Sequence, residues 1–175
     1  MAKDLPSSTS PRKMGIIMFV IAWGILLILL VSFFSDWLSD QENPNQRPVS
    51  ESNATGQIEV VLQANRQHHY VVNGTINNKN VAFLLDTGAT DVVIPQLIAE
   101  RIGLNSGRKS YANTANGPVA VYSTQLESVT IGKIQLKDIK ASINPSMDID
   151  GVLLGMSALR QIEFTQRGNT LILKQ

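Results

Sequence analysis

Cysteine is absent from this 175-residue chain, and histidine occurs only twice. Without thiols there is no disulfide framework, no Cys-ligated zinc and no thiol nucleophile. The compartment stays open, because disulfide-free domains occur on either side of a membrane. An excess of charge is also missing: 15 Lys plus Arg face 14 Asp plus Glu. A chain so balanced lacks the basic field that attracts nucleic acid, and no nucleic-acid partner is expected. His68 and His69 are adjacent, and adjacent residues at the start of a strand point to opposite faces. They read as a surface pair, and neither a metal nor an organic cofactor is expected. Asp148 and Asp150 lack the ligand spacing of an EF-hand and read as a solvated turn.

Apolar residues are unevenly distributed. Ile16 to Phe34 runs nineteen positions without a charge, fourteen of them Ile, Leu, Val or Phe, which is about the length of a membrane-crossing helix. Those fourteen favour insertion by about 4 to 8 kcal/mol. A cleaved signal peptide would have a shorter apolar core and a small-residue cleavage site; here Phe33, Phe34, Ser35, Asp36 and Trp37 close the run, so residues 16–34 read as an uncleaved signal anchor. Lys3, Arg12 and Lys13 precede it, whereas Asp36, Asp40 and Glu42 follow, which holds residues 1–15 in the cytoplasm. The remainder is then outside, in the periplasm if the cell is a two-membrane bacterium. Residues 35–56, rich in Asn, Gln, Ser, Glu and Pro, cannot bury enough apolar surface to order themselves and read as a flexible tether.

From Gln57 onward apolar residues recur at period two or in short runs broken by Gly, Asn and Pro, the pattern of strands and tight turns. Strands are expected at Ile58 to Leu62, His69 to Ile76 and Val81 to Leu85, the last fully buried. Two pairs follow, Lys109 to Asn113 with Val119 to Leu126, and Ser128 to Ile131 with Ile134 to Ile143. Val152 to Gly155 and a closing hairpin, Ile162 to Thr165 with Thr170 to Leu173, complete the set. One short helix starts at Pro95, places Leu97, Ile98 and Ile102 on one face and stops at Gly103; a second runs from Met156 to Gln161. Residues 57–175 are therefore a mostly β domain.

The residues that carry chemistry lie in Phe83-Leu84-Leu85-Asp86-Thr87-Gly88-Ala89-Thr90. An aspartate leaving a core strand into a Thr-Gly turn loses solvation, so its environment matters to its proton affinity. On the tripeptide alone the simpler role is a turn aspartate capping its own loop. The wider setting changes that balance. Phe83 to Pro95, together with Gly151 to Leu159, resembles the retropepsin-like aspartic proteases of retroviruses and their bacterial relatives, most closely the membrane-anchored bacterial members, over about residues 57–175.

The resemblance implies a closed β domain preceded by a single transmembrane helix. It makes Asp86 the catalytic residue and Thr87, Gly88 and Ala89 its supporting loop. Leu154 and Gly155 pack beneath, and the hairpin turn Thr114, Ala115, Asn116 and Gly117 is the flap that covers substrate. Because the chain holds one Asp-Thr-Gly and the chemistry needs two carboxyls sharing a proton, the resemblance also implies a homodimer. The partner would be an extended polypeptide, and the activity aspartic endopeptidase. Ala89 stands where other members carry Ser, and Asp91 lies one place later than the Asp of many retroviral members, which puts the usual interface ion pair in doubt. A catalytically silent dimerisation or peptide-binding module of the same fold is the alternative.

Overall fold

A computed structural model of the chain describes residues 11–52, 56–114 and 117–175. It divides into two compact units, Met1–Ser39 and Asp40–Gln175.

In the first unit the apolar run lies within one helix, α1 (Pro11–Glu42). Its large apolar side chains, from Ile16 through Phe34, are exposed on every side. A helix apolar all round needs an apolar surrounding, and at 1.5 Å per residue nineteen residues extend about 28 Å, close to the hydrocarbon thickness. Length and composition make α1 a candidate membrane span.

The second unit contains eleven strands among the described residues. β1 (Val49–Ser52), β2 (Ile58–Gln63), β10 (Glu163–Arg167) and β11 (Thr170–Lys174) form an antiparallel sheet in the order β1-β2-β11-β10. The larger sheet holds β3 (Val71–Ile76), β4 (Lys79–Leu85), β5 (Val92–Pro95), β6 (Lys109–Thr114), β7 (Gly117–Ile131), β8 (Ile134–Asn144) and β9 (Val152–Leu154). Its order is β3-β4-β9-β5-β8-β7-β6, and an extra pairing of β3 with β7 joins Thr75 to Thr130 and Ile76 to Val129. That pairing closes the sheet on itself and leaves β6 outside as a hairpin arm of β7. Gly74 makes the closure possible, since a Cβ there would collide with the Thr130 carbonyl and come within 2.9 Å of the Phe83 ring.

Local sequence explains most of these elements. Val60 and Leu62 are fully buried on one face of β2. Asn77 and Asn78 both take positive φ, 47° and 65°, the left-handed pair that a two-residue β3–β4 hairpin requires. The short helix α2 (Gln96–Ile102) follows Pro95 and ends at Gly103, whose φ of 77° turns its N–H back to the last carbonyls.

Several expectations need correction. The segment 35–56 is not one flexible tether: α1 continues to Glu42, and β1 pairs with β2 from Val49↔Val61 to Ser52↔Ile58. Its polar side chains satisfy backbone groups of the domain, which composition does not report. Leu97 does not share the buried face of α2; it is 75% exposed, and Ala99 is buried beside Ile98 instead. The expected strands on either side of Glu127 are one strand, β7, which keeps one register with β8 on both sides of that point, from Leu126↔Ile139 to Ser128↔Lys137. The apolar alternation shifts phase there, Leu126 and Val129 both being buried, opposite Asp138 with its φ of 56°. That shift read as a break. β5 was absent from the expected strands because four residues ending in Pro carry too little periodicity. His68 and His69 lie exposed in the loop before β3 rather than at its start.

Candidate active site

Asp86 directly follows β4. Phe83 is fully buried, and β4 runs parallel to β9 with Leu84 opposite Leu153 and Leu85 opposite Leu154, so the residues just before the aspartate are fixed from the side. The Leu85 N–H donates to the Tyr70 carbonyl at 3.0 Å and the Asp86 N–H donates to the Leu154 carbonyl at 3.2 Å. The chain then turns sharply: the Ala89 N–H donates to the Asp86 carbonyl at 3.2 Å, and the Gly88 N–H donates to Asp86 Oδ1 at 2.9 Å. Asp86 does cap its own loop, as a turn aspartate would. Among the described residues its carboxylate makes no second hydrogen bond, and it remains half-buried with Thr87 and Gly88 exposed beside it.

The second motif sits under this loop. Gly155 precedes α3 (Met156–Leu159), and the first amides of that turn point at the loop's carbonyls. Met156 N–H donates to Ala89 O at 2.8 Å and Ser157 N–H to Thr90 O at 2.9 Å. No side chain fits at Gly155, because a Cβ there would collide with the Asp91 carbonyl and lie 2.7 Å from that of Ala89. Leu154 contributes its carbonyl to Asp86 and its fully buried side chain to the core. The structure thus brings together Asp86, Thr87, Gly88, Ala89, Leu154 and Gly155.

Thr114 and Gly117 close the β6–β7 hairpin, with Thr114 Oγ1 donating to the Gly117 carbonyl at 2.8 Å. Ala115 and Asn116, expected at its tip, lie outside the described residues.

Two supports escaped the sequence reading. Ser157 Oγ accepts from the Val92 N–H at 2.9 Å and donates to the Lys140 carbonyl at 2.7 Å, tying β5, β8 and α3 together. Asp91 lies 3.6 Å from Lys140 Nζ; with that lysine largely exposed the pair is worth little, but it occupies the Asp91 carboxylate within the protomer. Nothing in the spacing singles out Ser157, since its partners are backbone groups of strands remote in sequence. Ser157→Ala leaves the buried Val92 N–H without its acceptor and is expected to cost about 1 to 3 kcal/mol. Thermal melting would read this as a loss of several degrees; an unchanged transition would show that the amide finds another partner.

An Asp-Thr-Gly turn at the end of a strand that buries Val81 and Phe83 and leaves Leu84 and Leu85 half-buried, braced from beneath by a Gly-led helical turn inside a closed β domain, is the arrangement of the retropepsin-like aspartic proteases. A solved retropepsin-like aspartic protease from Rickettsia conorii matches it with a TM-score of 0.57 and 30% identity, over 73% of this chain and 94% of that one. The chain belongs to the gag-polyprotein putative aspartyl protease family, whose model matches residues 72–161. Among curated proteins, an uncharacterized protein in the cobV 5′ region of Sinorhizobium sp is 33% identical over 118 residues, covering 66% of this chain and 51% of the relative. An uncharacterized protein of Rickettsia prowazekii is 31% identical over 108 residues, covering 60% and 46% respectively. The chain therefore spans about half the length of the curated relatives it matches. Fold and family together support a protease-type function.

Proposed function

We propose that this protein is a membrane-anchored aspartic endopeptidase that works as a homodimer. The observation that carries the reading is the Asp86 loop: its backbone is immobilised by β9 and α3, while in a single protomer Asp86 stays half-buried and Thr87 beside it is exposed. One carboxylate is half of a pepsin-type site. The other half is Asp86 of a second copy related by a two-fold axis, with Thr87 of each loop bonding across it. Residues 114–117 then act as a flap over an extended polypeptide, whose backbone can pair with strand edges.

In the dimer one carboxyl is protonated and the other ionised. A water between them gives its proton to the ionised carboxylate as its oxygen bonds to the peptide carbonyl carbon, and the protonated carboxyl donates to the carbonyl oxygen. Collapse of the tetrahedral adduct breaks the C–N bond, with a proton returned to the leaving nitrogen. The α1 helix anchors the assembly, with residues 1–15 cytoplasmic and the catalytic domain outside.

The test is cleavage of a diverse peptide library by the detergent-solubilised full chain, with the oligomeric state recorded in the same samples. Dimer-dependent cutting is the expected result. A stable dimer that cuts nothing would favour the silent peptide-binding module.

A further inference from the structure

The segment that leads from α1 into the domain is clasped rather than free, and two buried asparagines do the clasping. Asn45 is 5% exposed and Asn65 8%. Asn45 Nδ2 donates to the carbonyls of Gln63 at 2.9 Å and Val71 at 2.7 Å, and its Oδ1 accepts from the Gln63 N–H at 2.7 Å. Its main-chain carbonyl also accepts from the Asn73 N–H at 3.3 Å. One side chain thereby bridges the end of β2 to the start of β3. Asn65 Nδ2 donates to the Glu42 carbonyl at 3.1 Å, and its Oδ1 accepts from the N–H groups of Gln67 and His69. Arg66 adds a bond to Gln41 Oε1 at 2.8 Å and Asn43 one to Asn73 Oδ1 at 2.8 Å. Further along, Ser50 Oγ accepts from the Lys133 N–H at 3.1 Å while β1 covers the β2 edge.

Chain length turns the clasp into a limit on reach. The last large apolar residue of α1 is Leu38, and Gln41 is already held by the domain. Three residues span at most about 10 Å, whereas a free tether over residues 35–56 would have a root-mean-square reach of about 25 Å and a far larger maximum. A domain the size of Asp40–Gln175 is about 35 to 40 Å across. Resting on the anchored-protease reading above, we infer that the substrates are polypeptide segments held within about 50 Å of the membrane surface, such as the membrane-proximal stretches of other anchored proteins. Segments displayed farther out are beyond the active site.

The full-length chain would be reconstituted in liposomes with single-pass reporters carrying one cleavable sequence on rigid helical spacers, placing it about 25 Å or about 75 Å from the membrane. The native chain is expected to cut the near reporter at least about tenfold faster, since the far one lies outside its reach. Inserting a flexible Gly-Ser stretch of about 30 residues, with a reach of about 30 Å, between Ser39 and Asp40 leaves the clasp and the cleavage of a soluble peptide intact. It should bring the two reporters within about threefold of each other. Asn45→Ala combined with Asn65→Ala should move the ratio the same way. Equal cutting of both reporters by the native chain, or a ratio untouched by the insertion, would overturn the inference. Failure to cut even the soluble peptide would sink the protease reading instead, and extraction of the chain by alkaline carbonate would sink the anchor; both remove this inference with them.

Discussion

Asp86→Asn is expected to lower peptide hydrolysis by at least about 10³-fold, within the range that a positioned acid–base group contributes. The substitution acts twice, because each protomer of the proposed dimer supplies the same residue to one dyad. An amide neither takes the proton from water nor shares one with its neighbour, so both chemical roles vanish together. The loop should survive, since the amide oxygen can still accept from the Gly88 N–H now 2.9 Å from Oδ1. Activity, oligomeric state and melting temperature measured on one preparation decide the matter. Lost cutting with dimer and stability preserved is the expected outcome, while retained activity would remove Asp86 from the chemistry.

Gly155→Ala is expected to have the second-largest effect, although Gly155 lies beneath the Asp86 loop rather than in it. The added methyl collides with the Asp91 carbonyl and crowds that of Ala89, both in the loop that Asp86 opens. Either the loop lifts or α3 moves away, and each breaks the bonds from Met156 and Ser157 to Ala89 and Thr90. Overpacking of this kind costs about 1 to 3 kcal/mol, and a misplacement of about 1 Å at a catalytic group can cost about 10²-fold in rate. Activity should therefore fall by at least about 10²-fold even in samples that stay folded and dimeric. Near-native turnover would mean that the loop tolerates displacement and that Asp86 is positioned by something else.

How legible the site was depends on whether its parts are local. Asp86, Thr87 and Gly88 are contiguous, and the apolar run before them announces a strand, although of its residues only Val81 and Phe83 are buried. The Leu154-Gly155 segment announces the second half in the same way, by a short apolar strand ending in glycine before a helical turn. Ser157 was invisible because its role lies in two hydrogen bonds to Val92 and Lys140, partners 65 and 17 positions away in sequence. Leu97 misled because a seven-residue helix packs only one narrow stripe, and apolar character alone does not say which residues occupy it.

The sequence by itself determined the apolar anchor candidate, the mostly β character of the domain and the turn that presents Asp86. These follow from composition over about twenty residues and from short-range periodicity and turn chemistry, all of which are carried by neighbours along the chain. Only the tertiary structure decided that β3 meets β7 to close the larger sheet, that Gly155 must lack a side chain, and that residues 40–52 are clasped to the domain rather than slack. Each of those depends on where a backbone carbonyl or amide from a distant strand comes to rest. Asn45 shows the difference: a polar residue in a polar stretch predicts solvent, yet its amide is buried because it meets backbone groups of Gln63 and Val71 that β2 and β3 leave unpaired.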